Sequence, residues 1–564
     1  MNRRRFASAH DDAVNRKFLR LVLGLLAAGP LGLRATAPAG DVLFYHPIKV
    51  DADGHLAPWY DPDPGKSYGH VIDLVWHFWD RMPLDPNGLP YYMNHQVWHP
   101  RFDDPRGLGG DQFAMALSSW RLYYAYSGNE RVKANMEFIA DTYLTRGLSP
   151  ATCEWPNLPF PYNTLVYSGV YDGDMRAGKD VTQPDKAGSF ARELVRLYKM
   201  SAGYNIPENP RYLRAAIAIA DTLARHLRPG DRDHSPLPFK VNVYTGKTAL
   251  LRSHDFTGTE VDYAGYTSNW TPTMELFLEL IELRQGDVET YRKSFDLLLA
   301  WMKAVPLKEN KWGPFFEDVD WWSDTQINAM TCARFILEHR ELFPDWPRDV
   351  RGIIAWVQAN FANQTWEKYG VRVCNEQTVY QVPGNSHTSR QAADELLFGS
   401  LSGDPAFYAN SVRALNWATY AVNDDGTNCY PNDEPWLTDG YGDYVRHFLR
   451  AMAAAPELAP ADEDHLLSST AVVAQADYAA DLRKFYGLNF EAKEPEKVIL
   501  FYRTYETAGV ERIHLRTKPS QVQLDTHPLA EAERGEGYNW QPIPNRGGVL
   551  TVRREKGNKV LVLQ

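Results

Sequence analysis

The chain has 564 residues, 71 of them acidic and 60 basic, for a net charge of −11 at neutral pH. That balance, with no long basic run, argues against a nucleic-acid partner and against a polyanion held by overall charge. Aromatic side chains make up 13%, with 17 Trp and 31 Tyr, which is enough for a large core and for rings that stack on a ligand.

Residues 1–39 read as an export signal. Arg3-Arg4-Arg5-Phe6 resembles the twin-arginine pattern, an apolar stretch runs from Phe18 to Leu33, and Ala35-Thr36-Ala37-Pro38-Ala39 offers small-residue cleavage sites. A periplasmic or secreted protein is expected, without membrane association after signal removal. Arg20, Gly24, Gly29 and Pro30 interrupt the apolar stretch, which disfavours a spanning helix. An uncleaved anchor is the alternative. Residues 40–69 form an N-terminal segment.

From 70 to 455 a two-helix unit returns about six times. Helices are predicted at 70–82, 110–127, 129–146, 186–202, 209–227, 268–285, 288–303, 323–340, 346–363, 387–401, 404–421 and 440–454. Short turns separate the members of each pair: Ser127-Gly128-Asn129, Asn209-Pro210, Gly286-Asp287, Asp345-Trp346-Pro347 and Gly403-Asp404-Pro405. Gly ends one helix in a left-handed conformation, Asp or Asn caps the next, and Pro suits its first turn. Between 288 and 302, Tyr291, Phe295, Leu298, Leu299 and Met302 form one apolar face, as on an outer helix. The helix before it, Met274 to Leu283, is apolar nearly all round, as on an inner one. Ten helices make five hairpins. The last helix lacks an outer partner and the first lacks an inner one, so together they close a ring. An open superhelix is the alternative.

Residues 456–495 read as a helical connector. From 496 to 564 the apolar period falls to two, through Val498, Leu500 and Tyr502, then Ile513 and Leu515, Val522 and Leu524, and two later runs around the turn Asn545-Arg546-Gly547-Gly548. This predicts a small β-sandwich-like domain, read as a structural cap in preference to a carbohydrate-binding module. Cys374 and Cys429 fall in loops and are candidates for a disulfide. Cys332 lies mid-helix and reads as buried.

The long loops, 147–185, 228–267, 304–322, 364–386 and 422–439, collect acids and aromatics on one rim. Loops on a rigid scaffold are where binding and chemistry concentrate. This layout over 70–455 resembles the six-hairpin glycosidase group, the (α/α)6 toroids of glycoside hydrolases and polysaccharide lyases. The fold expected is therefore mainly α, an (α/α)6 toroid with a C-terminal β-domain. The resemblance implies a poly- or oligosaccharide substrate at the long-loop rim, and no individual family motif accompanies it.

Glycoside hydrolysis needs two carboxyls, one to protonate the leaving oxygen and one to activate water or attack the sugar. Glu376 and Asp433 lead the candidates, followed by Asp318 and Glu260. Trp155, Tyr263, Tyr266, Trp321, Trp322, Asn375, Tyr380, Arg390, Trp436 and Tyr441 are candidates to bind the sugar. Asp111, Asp324 and Asp443, at helix starts, read as caps before catalysts. β-Elimination of uronic-acid glycans is the competing reaction. It takes a Tyr or His base, here His387, Tyr263 or Tyr266, and Asn375 or Arg390 to neutralise the carboxylate. A non-catalytic carbohydrate-binding protein is the third reading. No metal and no cofactor are expected, and nothing in the sequence bears on oligomeric state.

Overall fold

The computed structural model describes residues 41–93, 110–165, 168–174, 176–203, 207–249, 252–254, 260–262, 264–315, 322–428, 441–478 and 498–564. At 110, 111, 252–254, 260–262, 441 and 442 only the backbone is described. Residues 42–564 form one compact unit.

Twelve long helices organise it: α1 (Pro64–Asp80), α2 (Gly110–Ser127), α3 (Glu130–Arg146), α4 (Pro184–Ser201), α5 (Pro210–His226), α6 (Thr271–Leu283), α7 (Val288–Ala304), α8 (Gln326–Glu338), α9 (Trp346–Phe361), α10 (Asn385–Ser402), α11 (Tyr408–Thr419) and α12 (Tyr441–Ala454). The inner helices α2, α4, α6, α8, α10 and α12 each pack on the next, and α12 returns to α2. This closure rules out the open superhelix. α1 packs against the inner helix α12 and its outer neighbour α11, completing the sixth pair. The architecture is the predicted (α/α)6 toroid.

Local chemistry sets the hairpins. Asn129, Asn209 and Asp287 accept backbone N–H groups of Arg131, Arg211 and Thr290 in the first turns of α3, α5 and α7. Gly403 closes α10 at φ 73°, a left-handed position that favours glycine. Inner faces are filled by large rings such as Trp120, Trp270 and Trp417, all fully buried.

The β-domain begins earlier than the sequence suggests. Residues 456–495 read as a helical connector, but strands β1 (His465–Ser469) and β2 (Val473–Tyr478) lie there. Alternate burial in a short apolar run satisfies a strand as well as a helix end, and only pairing decides between them. The remaining strands are β3 (Val498–Thr504), β4 (Gly509–Leu515), β5 (Gln521–Leu524), β6 (His527–Pro528), β7 (Gly537–Pro542), β8 (Gly548–Arg554) and β9 (Lys559–Leu563). They form two antiparallel sheets, β1-β4-β8-β7 and β2-β3-β9-β5-β6. Leu466, Ile513, Leu550 and Val552 of one sheet share a core with Leu500, Tyr502, Val560 and Val562 of the other. The fully buried Arg554 donates to Glu511 from both Nε and Nη2, at 2.8 and 2.7 Å.

This sandwich sits on the C-terminal ends of the inner helices. Tyr478 donates its hydroxyl to Ala125 O at the end of α2, Arg503 donates to Ala202 O beyond α4, and Arg512 donates to Ala453 O at the end of α12. Those carbonyls have no partner within their helices, and cations there complement the helix dipole. Cys374 is a buried free thiol, and Cys429, its candidate partner, lies outside the described residues. No helix among the described residues is long and apolar enough to cross a membrane.

Candidate active site

All six inner helices start at the long-loop rim and run away from it. Their first turns therefore surround one mouth, and the partial positive charge of their N-termini converges there. A cavity runs from Asn269 and Phe315 at the mouth to Glu338 and Arg450 inside the ring.

The mouth is held by buried charges. Asp174, in the first long loop, accepts from Lys240 Nζ of the second at 2.7 Å and from Gln183 at 2.8 Å. Both charged groups of this pair are fully buried. At the start of α4, Asp185 Oδ2 accepts from Lys186 Nζ at 2.8 Å and from Asn269 Nδ2 at 2.9 Å. Lys186 also donates to Phe315 O at 3.0 Å and stands over its ring. Asp185 Oδ1 has no hydrogen-bond partner. Asp185 and Lys186 are adjacent in the chain at the start of α4, and that pair of neighbouring opposite charges is the signal the sequence offers for this corner.

Deeper in, the ring is laced with ion pairs. Glu193 meets Arg121 and Arg196, each at 3.2 Å. Burial opposes ionisation of its carboxyl, but these arginines outweigh it and bring the pKa down to about 2. Arg192 meets Glu275 at 2.6 Å, and Arg334 stands 2.7 Å from Asp394. Where α10 meets α12, Asp443 accepts from Ser386, Arg390 and Arg446, and His447 Nε2 lies 3.2 Å away. Asp443 thus locks two inner helices together, where the sequence reads a cap. Asp324 is no cap either. Its Oδ1 accepts from the backbone N–H groups of Trp312 and Gly313, which fixes a rim loop.

Of the leading candidates, Glu376 is buried at the rim. Its carbonyl accepts from Gln326 N in the first turn of α8, and its own N–H donates to Val382 O. His387 is buried in the first turn of α10, three residues before Arg390 and so on the same helix face. Burial, then the charge of Arg390, pushes the His387 imidazole down to about 3. Arg390 in turn is lowered to about 9, chiefly by burial. Asn375 is buried as well, and its Oδ1 accepts from Asn363. Tyr380 is half-buried, with its carbonyl closing the turn to Gln377. Glu260 lies in a short strand paired with 252–254. Asp433, Asp318, Tyr263, Trp321 and Trp436 lie outside the described residues, and only the backbone of Tyr441 and Asp111 is described.

Two of the predicted sugar platforms are structural. Trp155 is buried and stacks on His226 with ring centroids 4.0 Å apart. Tyr266 is buried, and its hydroxyl donates to Lys311 O at 2.7 Å. Trp322 is half-buried beside Tyr266, with Lys311 Nζ 4.9 Å from its ring centre. These rings hold the rim loops to one another, a role that aromatic residues in loops take as readily as ligand stacking. For metal ligands, Asp51, Asp53 and His55 bring ligand atoms within 4.8 Å of one another. They form an exposed turn in which Asp51 Oδ1 already accepts the N–H groups of Asp53 and His55.

No protein-family profile matches the chain, and no curated protein does. Among solved structures, the cellobiose 2-epimerase from Spirochaeta thermophila DSM 6192 is similar with a TM-score of 0.50 at 15% identity, over 69% of this chain and 96% of that one. A D-mannose isomerase is similar with a TM-score of 0.50 at 10% identity, over 70% of this chain and 99% of that one. Identities this low establish a shared fold. By closed ring, hairpin order and these likenesses, the chain has the (α/α)6 toroid fold of these solved structures.

Proposed function

We propose that this protein is a carbohydrate-active enzyme that takes a poly- or oligosaccharide at the open rim and hydrolyses a glycosidic bond there. The observation that carries the reading is the mouth itself. It opens on a cavity lined by ionisable groups, while the sandwich occupies the opposite ends of three inner helices. In this reading Glu376 protonates the leaving oxygen, and a carboxylate of the loop carrying Asp433 activates water. The likeness to sugar epimerase and isomerase folds supports a sugar as the ligand. The basic and apolar N-terminal pattern supports export.

A second reading draws on one specific observation. His387 and Arg390 share one face of α10, which sets a proton acceptor beside a cation as abstraction of a proton next to a carboxylate requires. Reaction of the protein with a panel of neutral and uronic-acid glycans separates the two. Hydrolysis yields new reducing ends without absorbance near 235 nm, and Glu376→Gln lowers that rate by about 10²–10⁴-fold. Reducing ends rising together with the absorbance would replace hydrolysis by β-elimination and move the chemistry to His387. No turnover of any glycan would leave a binding protein.

A further inference from the structure

The corner made by Asp185, Lys186 and Asn269 fixes the direction of one side-chain amide. Lys186 directs its Nζ into the protein, to Asp185 Oδ2 at 2.8 Å, to Phe315 O at 3.0 Å and to the Phe315 ring, 3.2 Å from its centre. An ammonium group has three N–H donors, and these three partners take them. A carboxylate paired with an ammonium group only accepts hydrogen bonds. Asn269 therefore turns its Nδ2 to Asp185, at 2.9 Å, and its carbonyl oxygen away. Its backbone is pinned as well, because Asn269 N donates to Thr267 Oγ1, which itself donates to Pro314 O at 2.8 Å. Asn269 lines the cavity, so the group it presents there is an acceptor.

The unpartnered atom of this cluster is an acceptor too. Asp185 Oδ1 makes no hydrogen bond, although its side chain is fully buried. Asp185 stands at helical spacing from Ser189, Arg192 and Glu193, by which α4 lines the cavity. A buried acceptor is satisfied by a donor. A sugar hydroxyl brings an O–H group. A carboxylate or an ester carbonyl brings lone pairs alone, and at this corner it would face the oxygens of Asn269 and Asp185.

We infer that Asn269 selects a free hydroxyl of a neutral sugar unit, which donates to Asn269 Oδ1, and that Asp185 and Lys186 are positioning residues that hold the amide in that direction. The inference rests on the reading of the rim as a sugar site and adds a specificity-determining residue to it.

Isothermal titration of the full chain with mannotriose, cellotriose and xylotriose, and with monodeoxy forms of each, tests it. One monodeoxy form is expected to bind about tenfold more weakly than its parent, because it leaves the Asn269 acceptor unpaired. Asn269→Leu is expected to weaken the parent about tenfold and to abolish its advantage over that monodeoxy form. Asp185→Asn can donate to Asn269 Oδ1, so the amide turns over and presents Nδ2 to the cavity. The advantage is expected to shrink in that variant, and Asp185→Glu to keep part of it. Residues that only brace the fold would weaken parent and monodeoxy forms alike, and that result overturns the inference. So does an advantage unchanged in both Asn269→Leu and Asp185→Asn, and so does binding of none of the trisaccharides. Loss of the advantage in Asn269→Leu without turnover of any glycan upholds this inference and removes the hydrolase reading. Hydrolysis of a neutral glycan undiminished in Asn269→Leu does the reverse.

Discussion

The two rims of the ring are the two ends of the same six inner helices, and they are treated oppositely. At the C-terminal ends of α2, α4 and α12 a β-sandwich supplies Tyr478, Arg503 and Arg512 to carbonyls that the helices leave open. At the N-terminal ends, loops of unequal length supply buried charges, and a cavity lies between them among the described residues. Each end attracts the charge that its dipole favours. The closed end meets that attraction with side chains of the β-sandwich, and the open end meets it with buried ion pairs of the loops and helix starts.

Variants at the two rims should therefore separate activity from stability. The largest effect is expected at the open rim, where Glu376→Gln lowers glycan cleavage by about 10²–10⁴-fold while the melting temperature stays near wild type. Loss of the melting transition together with the activity would make Glu376 a structural residue. At the closed rim, Glu511→Ala strands the buried Arg554 cation in the sandwich core. A loss of about 3–5 kcal/mol is expected in denaturant unfolding, with activity per folded molecule retained. Equal loss of specific activity would show that the sandwich does more than cap.

A smaller effect comes from pH. The His387 pKa is depressed from an ordinary 6.5 to about 3, so between those values the unfolded chain binds a proton that the folded chain refuses. Stability is thus complete above about pH 6.5 and declines as pH falls toward 3. The loss by pH 5 is about 2 kcal/mol from this residue. Denaturant titrations at pH 7, 6 and 5 should show that slope, and His387→Gln should flatten it. An unchanged slope would assign the acid sensitivity to other buried groups such as His447. The smallest effect is expected at Trp155. Because this ring is buried against His226, Trp155→Phe should cost about 1 kcal/mol of stability and leave KM unchanged. A raised KM would return Trp155 to the sugar site.

Much of the ring is legible in the amino-acid sequence. Gly128, Gly286 and Gly403 have the positive φ their turns require, and Asn129, Asn209 and Asp287 cap as their positions imply. Ring closure is legible too, because an inner helix without an outer one and an outer without an inner one complement each other. The site is less legible. Glu376, His387 and Arg390 do stand at the rim and inner wall, as their loop and helix-start positions suggest. Trp155 and Tyr266 mislead, because a ring in a loop looks the same in sequence whether it faces a ligand or a neighbouring loop. Asp174 and Lys240 escape sequence reasoning, because they meet across the mouth from positions 66 residues apart.

Helical hairpins, a closed toroid and a β-domain all follow from the order of residues alone, since periodicity and capping act over a few positions. Three outcomes needed the folded chain: β1 and β2 join the sandwich, Asp443 and Asp324 tie elements together in place of capping, and buried ion pairs lace the inside of the ring. Each depends on which side chains meet across the ring. Charge summed along a chain carries no record of that, because the field within a cavity comes from neighbours in space.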